Sequence, residues 1–172
     1  SACLWPRHRP SASAPKRLKK NQMAGERLHA SAVKLHAGGV LLLGASGSGK
    51  SSLAVHLIDH YGGQLIADDR VCLTVKATRL HAAPPDNLAG LLELRGLGII
   101  TMPHQNAVID LAVELVARAR VPRLAETDSF THQSVQIPLI RLHGHDAASP
   151  ATIARALALL PTDGFSPDGI YR

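Results

Sequence analysis

Aromatic residues make up only 3% of this 172-residue chain, too few for the stacking platforms that bind single-stranded nucleic acid. Cysteine is as scarce. Cys3 and Cys72 are the only two, so no disulfide framework is expected and a reducing, cytoplasmic setting fits. No apolar run approaches the ~20 residues of a membrane-spanning helix, so no membrane span is expected. No Asn-Lys-x-Asp segment is present to read guanine, which argues against a GTPase-type switch. Acidic residues are missing from positions 1–22, which hold Arg7, Arg9, Lys16, Arg17, Lys19 and Lys20. The other thirteen basic residues are matched by thirteen acidic ones, so the formal charge of +6 belongs to this tail.

The tail is rich in Pro, Ser, Ala and Arg without apolar periodicity, and disorder is expected of it. It could be read as a basic arm for an anionic surface or as a transit-like segment. The preferred reading starts translation at Met23, with residues 1–22 as upstream sequence, because the ordered pattern begins just beyond it. A nucleic-acid role would rest on the tail alone, so none is expected. Residues 23–172 have the length of one domain with a sizeable core.

What the chain does have is a phosphate-binding loop. Gly44, Ala45, Ser46, Gly47, Ser48, Gly49, Lys50 and Ser51 form Gly-x-x-x-x-Gly-Lys-Ser, preceded by the apolar run Val40–Leu43 and followed by a helical pattern. The glycines let the backbone curl around a polyphosphate with its N–H groups inward, and the helix N-terminus adds positive potential. Lys50 can reach the β- and γ-phosphates, and the Ser51 hydroxyl can hold Mg²⁺.

The flanking pattern predicts an α/β fold: a P-loop-containing nucleotide-binding domain with a mixed central sheet flanked by helices. Strands are expected at Leu28–Leu35, Val40–Leu43 and Gln64–Ala67, with a turn at Ala37-Gly38-Gly39. Lys50–Tyr61 reads as a helix stopped by Gly62-Gly63. Val71–Val75 and Thr78–Ala82 suit a hairpin. Asn87–Leu94 looks helical with Asp86 as its cap. Residues 109–115 alternate like a half-buried strand. Val135–Leu142 reads as a strand that Pro138 pushes to an edge. Ser149 caps a last helix with Pro150 in its first turn and Pro161 at its end.

Two further segments carry chemistry. Leu65-Ile66-Ala67 ends in Asp68-Asp69, an apolar strand delivering carboxylates beside a phosphate loop. One carboxylate can serve the metal, and the other can take a proton from an attacking hydroxyl. Leu92-Glu93-Leu94-Arg95-Gly96-Leu97-Gly98-Ile99-Ile100 offers Glu93 and an arginine able to stabilise phosphoryl charge, or merely the polar end of a helix.

Together these segments resemble the catalytic domain of the bacterial HPr kinase/phosphorylase family, most closely over residues 28–116. The match is to the short alphaproteobacterial form that is little more than the catalytic core. The resemblance implies a serine kinase that uses ATP and Mg²⁺ to phosphorylate an HPr-like phosphocarrier protein and so regulates the phosphotransferase system. Position by position, it implies that residues 44–51 hold the nucleotide and that Asp68 is the base, tuned by His29. Ser51, Asp69 and Glu93 would support the metal, and Arg95 would steady phosphoryl charge. The homo-oligomers of longer members are left open. Ala45 stands where the family commonly has Asp, and Ala30 where Gly usually follows the histidine. The family's later Pro-Gly-Arg segment has no clear match in Ile137–His143. Arg141 and His143 are the alternatives there, and the reverse, phosphorylase reaction is expected to be weak or absent. Two other readings share the loop. One is a small-molecule kinase with a lid carrying Arg118, Arg120 and Arg123. The other is a non-catalytic ATP-binding regulator.

Overall fold

The chain passes three times between two sheets, and the first two passages sit side by side. In the computed structural model, which describes residues 26–124 and 128–160, the expected strand Leu28–Leu35 is broken. Glu26–Leu28 (β1) lies in a four-stranded sheet and Ser31–Leu35 (β2) in a six-stranded one, with His29 and Ala30 at the break. Gly38 and Gly39 pair with Leu35 and Lys34, so the turn falls at His36-Ala37 and the next strand is Gly38–Leu43 (β3). Lys50–Tyr61 (α1) is the predicted helix, closed by Gly62 in the left-handed region at φ 64°. Gln64–Ala67 (β4) ends at Asp68-Asp69, where the chain returns to the smaller sheet as the hairpin Val71–Lys76 (β5) and Arg79–Ala83 (β6).

The expected helix over Asn87–Leu94 is replaced by a single 3-10 turn at Asp86–Leu88 and a strand, Leu91–Leu94 (β7), paired with Gly98–Thr101 (β8). Pro85, not Asp86, is the N-cap. The helix fails at Gly90. Its φ is 73°, and a Cβ there would lie 2.8 Å from the Met102 carbonyl oxygen. Four apolar residues within a short stretch cannot distinguish strand from helix by period alone.

Ala107–Val108 (β9) joins the smaller sheet, giving the order β1-β5-β6-β9. Leu111–Leu115 (β10) follows, then Asp128–His132 (β11), Val135–Leu142 (β12) and Ser149–Leu159 (α2). The larger sheet runs β11-β12-β10-β3-β2-β4, with β3, β10 and β12 mutually parallel and the others antiparallel. β10 is therefore central rather than half-buried, and its Ala112 is as buried as Leu111 and Val113. β12 is not an edge either. Pro138 stands opposite Ser129 of the terminal strand β11, whose N–H goes to the Asp128 carboxylate at 2.8 Å, so the ladder is already interrupted where proline lacks its donor. Ser149 does not cap α2. Its hydroxyl donates to the His143 carbonyl at 2.8 Å, and Ala148 holds the cap position. The expectations about residues 1–22, Met23 and Pro161 lie outside the described residues.

Two cores result. Leu53, Ala54 and Leu57 of α1 and Ile153, Ala156 and Leu157 of α2 pack on one face of the larger sheet against Val40, Leu42, Leu111 and Val113. On its other face Ala32, Leu41, Ile66 and Ala112 meet Val71, Leu73, Leu80 and Ala82 of the smaller sheet. The mixed sheet thus has both helices on one side and a second sheet on the other. No helix among the described residues is long and apolar enough to cross a membrane.

The tightest point of this packing is Gly39, where a Cβ would lie 2.0 Å from the Val108 carbonyl oxygen. Backbone cannot yield there as a side chain would. Gly39→Ala is expected to cost at least the ~3 kcal/mol upper end of overpacking, against about 1–2 kcal/mol for Gly62→Ala, where only the left-handed backbone resists. Denaturant midpoints compare the two, and equal losses would contradict the close approach.

Candidate active site

The site is built where β3 and β4 end. Leaving β3, Gly44 at φ 145° and Gly47 at φ 79° turn the backbone back on itself, and Gly49 at φ 97° opens α1. A Cβ on Gly44 would meet Ser48 Oγ at 2.7 Å, so this turn has no room for one. Lys50 folds over the loop. Its ammonium donates to the Gly44 and Ala45 carbonyls at 2.8 and 2.9 Å. Burial lowers its pKa from the ordinary 10.5, against the opposing pull of Asp68 and Asp69.

Asp68 is the hub. Its carboxylate is only 5% exposed. It accepts from Ser31 Oγ at 2.5 Å, from Ser51 Oγ at 2.9 and 3.0 Å to its two oxygens, and from the Glu93 N–H at 3.3 Å. The structure therefore pairs Asp68, not Asp69, with the serine of the loop. Asp69 takes a left-handed φ of 62°, which aims it elsewhere. Its carboxylate lies 3.1 Å from His29 Nδ1 and 3.7 Å from Arg70 Nε, and its backbone carbonyl also meets His29 Nδ1 at 3.1 Å.

Glu93 and Arg95 belong to the β7–β8 hairpin, Arg95 lying just past β7 at the start of the turn. Both line one cavity with His29, Ser31, Lys50, Ser51, Asp68 and Asp69, and with Ser46, Gly47 and Gly49 of the loop. Residues predicted from three separate segments thus face one space. Ala45 and Ser48 of the loop, and Gly44, do not line it.

Neither alternative for the missing arginine reaches this cavity. Arg141 Nε donates to Glu114 Oε2 at 2.9 Å and its Nη2 donates to Asp128 Oδ2. The guanidinium holds the Asp128 carboxyl below the usual carboxylate range. Arg141 lines a different cavity, between β12 and α2, together with Arg123 and Arg155. His143 Nδ1 meets the Val116 carbonyl at 3.0 Å. The basic residue that does line the site is His145, whose Nε2 lies 3.1 Å from the Gly47 carbonyl. Nothing in its spacing marks His145. Ser31 carries a weak signal, as a hydroxyl inside the apolar run Ala30–Val33, and Ser52 none beyond its place next to Ser51.

The donor set suits Mg²⁺. Ser51, Asp68, Asp69 and Glu93 bring only oxygen to the cavity, the ligand type this ion takes. Among the described residues no three His, Cys, Asp or Glu side chains converge as a cage, which fits an ion held by one or two protein oxygens with phosphates and water completing its shell. The curled loop with Lys50 over it fits the phosphates of a nucleotide.

Residues 21–158 match the family model for the HPr Serine kinase C-terminal domain. The HPr kinase/phosphorylases of Xylella fastidiosa (strain 9a5c) and Xanthomonas campestris pv. campestris (strain 8004) are each 31% identical to the chain, over 84% of it and 51% of the relative. The chain thus spans about half the length of these relatives. Among solved structures, the Hpr(Ser) kinase/phosphatase from Coxiella burnetii superposes with a TM-score of 0.68 at 26% identity, over 76% of this chain and 87% of that one. With the family model covering most of its length and the fold shared, the chain belongs to the HPr serine kinase C-terminal domain family.

Proposed function

We propose that this chain is an ATP-dependent serine kinase acting on an HPr-like phosphocarrier protein, with Mg²⁺ as its ion. The observation that carries this reading is the Asp68 carboxylate, shared between the loop serine Ser51 and the hairpin residue Glu93. An ionised carboxylate offers about four lone-pair sites. Ser31, Ser51 and the Glu93 N–H are its donors, Ser51 spanning both oxygens, and an acceptor hydroxyl entering the cavity would take one of the two positions that Ser51 spans.

Lys50 and the loop N–H groups hold the phosphates. Ser51 and Glu93 would hold the ion, with Asp69 beside them, and it would supply neutralisation of phosphate charge. Asp68 orients the acceptor serine and receives its proton as the oxygen attacks. His29 fixes Asp69, and through the backbone the Asp68 position, by its two contacts at 3.1 Å. Arg95 supplies a permanent charge toward the transferring group.

A protein acceptor is favoured over a small molecule by what surrounds the cavity. Leu97 and Ile99, 72% and 70% exposed, sit on the hairpin next to Arg95 and suit an apolar protein face. Two of the three arginines that would form a lid over a small substrate have other neighbours. Arg118 pairs with Asp146 at 3.3 Å, and Arg123 lines the separate cavity between β12 and α2.

Lys50→Ala removes charge-assisted contacts and is expected to weaken Mg-ATP binding by about 1.5–3 kcal/mol; calorimetry showing unchanged affinity would end the nucleotide assignment. Asp68→Asn preserves shape, and the Ser31 and Ser51 hydroxyls can rotate to suit the amide. It is expected to bind ATP nearly normally while phosphoryl transfer to an HPr-like carrier falls roughly 10²–10⁴-fold. Full transfer by this variant moves the base to another residue. With Arg141 held by Glu114 and Asp128, the reverse reaction is expected to be weak. Phosphorylated carrier incubated with enzyme, Mg²⁺ and phosphate should release little pyrophosphate, and rapid release overturns that direction.

A further inference from the structure

The loop after β12 is packed against the phosphate loop more tightly than any sequence pattern indicates. A Cβ on Gly144 would lie 2.1 Å from the Ser48 carbonyl oxygen, and one on Gly49 would lie 3.1 Å from both the Gly144 carbonyl carbon and His145 Cε1. Gly144 thus lets the chain touch the loop backbone, and the next side chain lands on its crown. His145 Nε2 faces the Gly47 carbonyl at 3.1 Å, and the ring lines the same cavity as Lys50 and Arg95. In the tautomer that donates to Gly47, Nδ1 is left as an acceptor, and protonation turns it into a second donor carrying charge.

We propose that His145 is a titratable phosphate contact: as imidazole it only ties down Gly47, and as imidazolium it adds a positive charge beside the bound polyphosphate. This rests on the nucleotide reading above and adds a proton dependence to it. The position is one at which a permanently charged arginine would give constant attraction. A histidine there makes the loop's hold on phosphate depend on pH, weakening as the ring gives up its proton.

The surroundings bear on that titration from every side. The His143 ring lies 5.7 Å from His145 and opposes its protonation when itself charged. Asp146 adjoins it in the chain but is paired with Arg118 at 3.3 Å. Across the cavity Lys50 and Arg95 oppose a further positive charge, as does His29 when protonated, while Asp68, Asp69 and Glu93 favour it. Bound phosphates tip this balance toward imidazolium, because they bring several negative charges into the same space.

The test is Mg-ATP calorimetry on the full chain from about pH 5.5 to pH 8, comparing wild type with His145→Arg and His145→Gln. Protonation changes elsewhere in the site and on the nucleotide are common to all three and cancel in the differences. Wild type is expected to lose about three- to tenfold more affinity across the range than either variant. His145→Arg should bind at the upper end about as tightly as wild type at the lower end. His145→Gln keeps a donor for Gly47 without charge, and should bind at the lower end as wild type does at the upper. Parallel profiles for all three, with binding intact, overturn the inference and leave the nucleotide reading standing. No Mg-ATP binding by wild type at any pH overturns both. A second measurement does not depend on the variants folding well. Among the ten histidines, the His145 ring resonances should titrate at higher pH with Mg-ATP than without it, and an unmoved midpoint also overturns the inference.

Discussion

A buried carboxylate is costly unless its oxygens are satisfied, and the folded chain converges on satisfying one. Asp68 ends β4, and its partners come from β2, α1 and β7. A single side chain thus joins the central sheet, the helix that carries the phosphate loop and the hairpin that carries Glu93 and Arg95. Losing any one donor would leave an unpaired negative charge at a largely buried carboxylate. The requirement to keep that charge paired therefore fixes how four segments of the chain meet. It also brings the residues of the site to face one another.

The same convergence follows from topology. β2 and β4 are neighbours in the larger sheet, and both connect to the smaller one, β2 backward through His29-Ala30 to β1 and β4 forward through Asp68-Asp69 to β5. Two strands that leave one sheet at adjacent points must bring their crossing residues together. His29 and Asp69 meet for that reason, although forty residues separate them. The left-handed φ of Asp69 is where the second passage bends, a conformation that asparagine and aspartate tolerate better than most residues.

This separates what could be read in the sequence from what could not. The phosphate loop, α1 and its Gly62 stop, and β4 with its carboxylates were legible because each is fixed locally, by glycine conformations, helical period or an apolar run with a polar end. The β7–β8 hairpin was misread as a helix because Leu91, Leu92 and Leu94 suit either state, and the deciding contact, Met102 against Gly90, comes from beyond the segment. Pro138 was misplaced at an edge because its opposite residue, Ser129, had already turned its own N–H away. Ser31 and His145 were passed over for a related reason. Each becomes part of the site only through a partner brought close by the fold, Asp68 in one case and Gly47 in the other.

Where positive charge can stand near the phosphates is decided by strand geometry. Arg141 lies in β12 directly beside Glu114 of β10, and the antiparallel neighbour β11 brings Asp128 to its other side. A guanidinium flanked by two carboxylates on a sheet cannot swing to a loop at the strand ends without giving up its contacts to both acids. The chain must first leave the sheet, and it does so at His143-Gly144, where the absence of a side chain lets the backbone lie against Ser48. The first side chain beyond that contact is His145. Position near the phosphates is therefore set by a glycine and a strand end, while the identity of the residue placed there sets whether the charge is constant or depends on pH.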